Sequence, residues 1–208
     1  MKTNKKRYVL LLALLIAPVF FSFADEDAYL LYTQGKYQDS IDTCYKEIEN
    51  HSNVVSFYVL GYSLLALGRY EEAVSQMQIC LERHGKHRKV IKILGEAYYR
   101  LGENKLAQQY FEDYIRIAPN GESIAESYYF LGEIFLRYKE YQHADIAFST
   151  ALYHIKNNSF WWTRLGYSRQ RAGDPEDAIN AYKEALLLNP GSAEALKGLR
   201  ECEGLLGP

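Results

Sequence analysis

Cys80, His84 and His87 are the residues whose chemistry and spacing first invite a functional reading. At i, i+4 and i+7 a continuous helix would set one thiol and two imidazoles on one face, a soft donor set suited to zinc. Gly85 falls between the two histidines and marks a turn there, so the helix is not expected to run through His87, and no metal or other cofactor is assigned. His51, His143 and His154 have no ligand-type partners evident from spacing. The chain has no glycine-rich phosphate loop, nucleophile elbow or zinc-protease helix pattern, and the expectation is a protein that is not an enzyme. Three cysteines, Cys44, Cys80 and Cys202, are an odd number, and each lies in an apolar helical pattern. They are read as buried free thiols, with a Cys44 to Cys80 bridge as the alternative. The outlier in composition is tyrosine, with 19 copies. Its apolar body and polar tip suit half-buried helix seams and recognition surfaces.

Two features place these residues outside the cell interior. Lys2, Lys5, Lys6 and Arg7 precede an apolar run from Tyr8 to Phe23, and Ser22-Phe23-Ala24 offers small residues at cleavage-site positions, the pattern of a secretory signal over residues 1–24. The run is shorter than the roughly 20 residues of a spanning helix and contains Pro18, so cleavage is expected, with an uncleaved membrane anchor through residues 8–23 as the alternative. Either way residues 25–208 are expected to be exported, and the style of the leader points to the bacterial periplasm. Residues 1–24 hold four of the 24 basic residues and none of the 26 acidic ones, leaving the remainder at −6. That balance argues against a general nucleic-acid binder.

The elements that must position the tyrosines and cations are set by a repeat. Leu60-Gly61, Leu94-Gly95, Leu131-Gly132 and Leu165-Gly166 recur at intervals of 34, 37 and 34 residues, and Ala73, Ala107, Ala144 and Ala178 follow in the same register. Within 159–192, Trp162, Leu165, Gly166, Ala178, Tyr182, Ala185 and Pro190 stand where the tetratricopeptide repeat carries its signature residues. The chain resembles that family. The resemblance implies an all-α fold, a right-handed superhelix of antiparallel helix pairs, each pair burying its apolar face against the next. Four units follow, 54–87, 88–121, 125–158 and 159–192, with Glu122, Ser123 and Ile124 as a loop insertion. A degenerate first unit at 25–53 carries Ser40 in place of the alanine, and a capping helix occupies 193–208. Phe57, Tyr128 and Trp162 are expected to fill the space around the small residues. Gly68, Gly102 and Gly173 should close first helices, Lys139 should adopt the strained left-handed conformation at the equivalent turn, and Asp174 should cap the helix begun by Pro175. Asn157-Asn158-Ser159 fits a glycosylation acceptor but is read as an inter-unit turn.

In such repeats the first helix of each unit lines a concave groove. The corresponding positions are Tyr58, Tyr62, Lys92, Tyr99, Arg100, Tyr129, Arg137, Phe160, Arg164, Tyr167 and Arg171, accompanied by Lys89, Glu96 and Glu133. The resemblance thus implies a scaffold or adaptor gripping a segment of a protein partner, with Arg100, Arg137 and Arg171 expected as a ladder along one groove edge. Some relatives clamp a C-terminal carboxylate with lysine, asparagine and arginine. Here Lys92 and Arg164 fit two places, but Glu96 and Phe130 replace the asparagines, which counts against that mode. The alternative function is a small-ligand or glycan-binding accessory protein that would use the tyrosines and an exposed Trp161 as stacking surfaces, although packing of Trp161 on the preceding unit is the favoured reading. The exposed edge of the incomplete first unit offers a place where a second copy could stack.

Overall fold

A computed structural model describes residues 27–207, and the leader reading at 1–24 lies outside the described residues. Those described are all helical, with no strand among them. A short α1 (Ala28–Thr33) pairs with α2 (Tyr37–Asn50), followed by α3 (Val54–Ala66) with α4 (Tyr70–His84), and α5 (Arg88–Leu101) with α6 (Asn104–Ile117). Then come α7 (Ile124–Tyr138) with α8 (Tyr141–His154), α9 (Ser159–Ala172) with α10 (Pro175–Leu188), and a single closing helix α11 (Ala193–Leu206). Each helix packs on its chain neighbours, and first helices also touch one another, α1 on α3, α3 on α5, α5 on α7 and α9 on α11. Among the described residues no pair of second helices packs to a similar extent. The first helices therefore form the tighter, inner wall of the solenoid and the second helices the outer one.

The glycine of each Leu-Gly pair leaves a slot for one large side chain of the following helix. A Cβ on Gly95 would lie 3.0 Å from the Phe111 ring, on Gly132 2.6 Å from Phe148, on Gly166 2.7 Å from Tyr182, and on Gly61 2.9 Å from the Met77 sulfur. Met77, Phe111, Phe148 and Tyr182 keep the 34, 37, 34 register and are fully buried. They fill the space assigned from sequence to Phe57, Tyr128 and Trp162. Of those three Phe57 is buried, whereas Tyr128 and Trp162 are half-buried, with the Trp162 indole N–H donating to the Lys156 carbonyl at 2.8 Å.

The turns follow the sequence reading with two departures. Gly68, Gly102 and Gly173 have φ of +73°, +82° and +94°, and Lys139 holds φ 61°, ψ 24°, in the left-handed region where a side chain costs about 1–2 kcal/mol. Asp174 makes no side-chain cap hydrogen bond. The side chains that cap are Asp27, Asn53, Asn158 and Ser192, which accept from the amides of Tyr29, Ser56, Trp161 and Ala195, each contributing about 1 kcal/mol. Asn158 is thereby explained as a helix start. Ile124, expected in a loop, instead opens α7 and is buried, because the Tyr114 hydroxyl accepts from the Ser123 amide at 3.1 Å and brings the chain back onto the stack early.

The first unit is shortened but anchored. Ser40 Oγ donates to the Ala28 carbonyl at 2.8 Å and accepts from Ser63 Oγ at 3.0 Å, so the residue read as a defect ties six-residue α1 to α2 and α3. Cys44, Cys80 and Cys202 are all free and buried, which removes the Cys44 to Cys80 bridge. Burial pushes the Cys44 thiol up to about 12, reinforced by Glu47, and the Cys80 thiol up to about 11. No helix of the described residues is long and apolar enough to cross a membrane.

Candidate functional site: the inner wall

The inner wall alternates tyrosines with charges, and its order comes from contacts between units. The Lys89 ammonium lies 4.5 Å over the Tyr58 ring, Lys92 5.5 Å over Tyr62 and the Arg137 guanidinium 3.9 Å over Tyr99. Each cation belongs to the unit after its ring. Arg164 lies 5.5 Å from its own helix's Tyr167, and Arg171 5.3 Å from Tyr141. Cation over ring is worth about 0.5–1 kcal/mol where exposed and more where desolvated.

Most of the cations are already engaged by carboxylates. Lys92, only 9% exposed, sits 2.8 Å from Glu96 and 3.3 Å from Glu126. Burial alone would lower its ammonium, but the two carboxylates outweigh that and hold it above the usual lysine range. Arg164 makes a forked pair with Glu133, at 2.5 and 3.1 Å, with Glu194 at 3.6 Å. Here too burial is outweighed, chiefly by the Glu133 hydrogen bonds, and the guanidinium is held above its ordinary value. Lys89 lies 3.6 Å from Glu122. The Tyr62 phenol, desolvated by burial, is pushed up to about 12, and burial with Glu133 raises Tyr129 further.

Of the three arginines expected as a ladder, two are hydrogen-bonded to the preceding unit. Arg137 donates to the Tyr99 carbonyl at 3.2 Å and to Asn104 Oδ1 at 2.6 Å, tying α7 to the α5–α6 turn. Arg171 donates to the Tyr141 hydroxyl at 3.2 Å. Arg100 alone of the three remains open: its side chain is 49% exposed, no hydrogen bond to it occurs among the described residues, and its nearest acid, Glu96, lies at 3.9 Å and is already held by Lys92. Arg137 and Arg171 each reach back to the first residue of the preceding unit's second helix, Asn104 and Tyr141, whereas Arg100 makes no hydrogen bond to the equivalent Tyr70.

The aromatic residues divide similarly. Trp161 is 7% exposed and stacks on Tyr129 at 5.2 Å with planes 8° apart, so it packs on the preceding unit and offers no sugar-stacking surface, against the glycan alternative. Phe160, 51% exposed, points its ring toward Tyr129 at 6.2 Å. Between α1, α3 and α5 lies a cavity of about 370 Å³ lined by Tyr32, Tyr62, Leu65, Tyr70, Glu96 and Arg100 among others. Tyr32 and Tyr70 had no sequence signal: the first belongs to a helix missing its early turns, the second to the start of an outer helix.

The metal reading at Cys80, His84 and His87 fails on geometry. Cys80 faces the core, the His84 ring packs edge-on to Phe57 with Nε2 3.1 Å from Ser52 Oγ, and His87 stacks on Tyr58 at 5.8 Å. No group of three His, Cys, Asp or Glu side chains among the described residues could hold a metal.

Two tetratricopeptide-repeat family models match the chain, at residues 58–122 and 159–192. A TPR repeat-containing protein of Methanocaldococcus jannaschii is 24% identical over 170 residues, covering 79% of this chain but only 30% of that relative. Among solved structures, MamA from Desulfovibrio magneticus (residue 41 to its end) superposes with a TM-score of 0.69 at 18% identity, over 80% of this chain and 93% of that one. YrrB, a TPR protein with an unusual peptide-binding site, gives 0.68 at 18% identity over 83% and 88%. At such identities the likeness carries the fold alone. Repeat spacing, slot-and-ring packing and these matches together show a TPR-type α-solenoid with tetratricopeptide repeats at residues 58–122 and 159–192.

Proposed function

We propose that this chain is a non-catalytic scaffold of the bacterial cell envelope, exported by its leader, whose inner wall holds a segment of a partner protein. The observation that carries the reading is the inner wall itself. Aromatic side chains stand half-exposed on rigid helices, at little conformational cost for binding, beside the half-exposed guanidinium of Arg100 and the exposed Phe160. The solenoid likeness to YrrB, whose peptide-binding site is its own, supports a peptide or protein as the ligand class. The leader-like residues 2–24 and the net acidic remainder support export and a protein partner over nucleic acid. Burial of Trp161 counts against the glycan reading.

The test is position-specific photocrosslinking in intact cells. A benzophenone amino acid replacing Phe160, on the inner wall, should capture a discrete protein. The same group replacing Lys183, exposed on the outer helix α10, should not. Equal capture at both positions, or capture at Lys183 alone, would overturn the groove reading, and fractionation of the captured species between periplasm and cytoplasm tests the location.

A further inference from the structure

Resting on the groove reading above, we infer that the cavity between α1, α3 and α5 receives an acidic side chain of the partner, bound through Arg100 and flanked by an apolar residue. The argument is an inventory of donors and acceptors. The carboxylates near this part of the wall are spoken for: Glu96 and Glu126 by Lys92, Glu122 by Lys89, Glu133 by the Arg164 fork. The Arg100 guanidinium, with five N–H donors, has a long ion pair to Glu96 at 3.9 Å but no hydrogen bond among the described residues, and the neighbouring Tyr32 and Tyr62 hydroxyls make none either, while facing the same cavity. A site left rich in donors with its acceptors consumed selects a ligand that brings acceptors. Of the acceptors a protein can supply, a carboxylate matches a guanidinium in charge and forked geometry. Leu65 and Tyr70, on the same wall, supply the apolar contact. A lysine-bearing segment would meet Arg100 and Lys92, and Glu96 in the cavity wall is already held by Lys92. This differs from a clamp on a terminal carboxylate, since the anion-binding group is a single arginine at the end of α5 and the wall is open to a continuing chain.

The experiment is selection of a random dodecapeptide phage library on immobilised residues 25–208, followed by affinity measurement of the selected peptides on the wild type, Arg100→Gln, Arg100→Glu and Phe160→Arg. Arg100 is half-exposed, and circular dichroism of each variant verifies the fold. The expected result is enrichment of Asp or Glu next to an aromatic or aliphatic residue, with affinity falling at least tenfold in Arg100→Gln, further in Arg100→Glu, and with added salt. Selection repeated on Arg100→Glu should enrich Lys or Arg instead. Neutral or basic peptides that bind wild type, ignore both Arg100 variants and lose affinity in Phe160→Arg would overturn the acidic assignment while leaving the groove reading standing. Peptides indifferent to all three variants, or no enrichment at all, would overturn both.

Discussion

Two glycines six residues apart in the closing helix should respond to alanine in opposite directions. A Cβ on Gly198 would lie 2.2 Å from Tyr182 Cζ, 2.5 Å from its Oη and 2.6 Å from Cε2, whereas one on Gly204 would meet nothing within 4 Å. The Tyr182 ring cannot retreat, because its other edge already fills the slot at Gly166, and its hydroxyl is held by Gln170 Oε1 at 2.7 Å. Overpacking of this kind costs about 1–3 kcal/mol, and contact with two ring carbons and the hydroxyl at once puts Gly198→Ala toward the upper end. Alanine also favours a helix over glycine by about 1 kcal/mol, so the net loss should be about 2 kcal/mol. Gly204→Ala has only the second effect and should stabilise by roughly 0.5–1 kcal/mol. Urea unfolding of residues 25–208 measures both, and Tyr182→Leu supplies the control. With the ring gone, Gly198→Ala should become neutral or stabilising, giving a coupling energy of about 2–3 kcal/mol in the double-mutant cycle. A Gly198→Ala protein within about 0.5 kcal/mol of wild type, or additivity of the two changes to within the usual ~0.3–0.5 kcal/mol, would refute the account of the ring as a wedge joining α9, α10 and α11.

Lys139→Gly should stabilise by up to about 1 kcal/mol, since it relieves a left-handed side chain at φ 61° at the cost of a freer unfolded chain; a lower melting temperature would contradict this. His87 is driven below its ordinary value by burial first and by Arg88 and Lys89 next, and its Nδ1 is buried without a partner. Its neutral form is the folded one. Its contribution is therefore complete above an unfolded value near 6.5 and is lost as pH falls through the lower folded value. The wild type should accordingly lose more stability between pH 7 and pH 5 than His87→Phe does, and parallel pH profiles would exclude the assignment. The three buried thiols, with Cys44 near 12 and Cys80 near 11, should resist alkylation by iodoacetamide at pH 8 in the folded protein and all react in urea. Mass spectrometry counts the adducts, and rapid labelling of the native chain would show an open core.

The fold was legible because its determinants are local and periodic. A Leu-Gly pair every 34 or 37 residues, with alanine a dozen residues on, specifies a helix pair whatever lies around it. What fills the glycine slots is not legible in the period alone, and the rings expected there are not the ones that enter. Phe111, Phe148 and Tyr182 share the period, but nothing in a one-dimensional register says that the ring of the second helix, and not Tyr128 or Trp162 of the first, enters the slot. Groove positions were legible and groove chemistry was not. Whether Arg137 meets Asn104, or Arg164 meets Glu133, depends on contacts some 30 residues apart, set by how one unit is rotated on the last. Ser40 shows the same limit: it departs from the repeat, and only the position of α1 reveals that its hydroxyl holds the Ala28 carbonyl.

The cations that rest on the preceding unit's tyrosines also fix the order of the array. Excising residues 88–124 would leave a chain that still reads as consecutive helix pairs, yet Glu126 would arrive where Lys89 had covered Tyr58, and Tyr129 where Lys92 had covered Tyr62. An anion would then face a negative ring surface, and two phenols would compete for one space. Units that look like interchangeable links are in fact keyed, and a shortened relative would need compensating changes on both sides of the join.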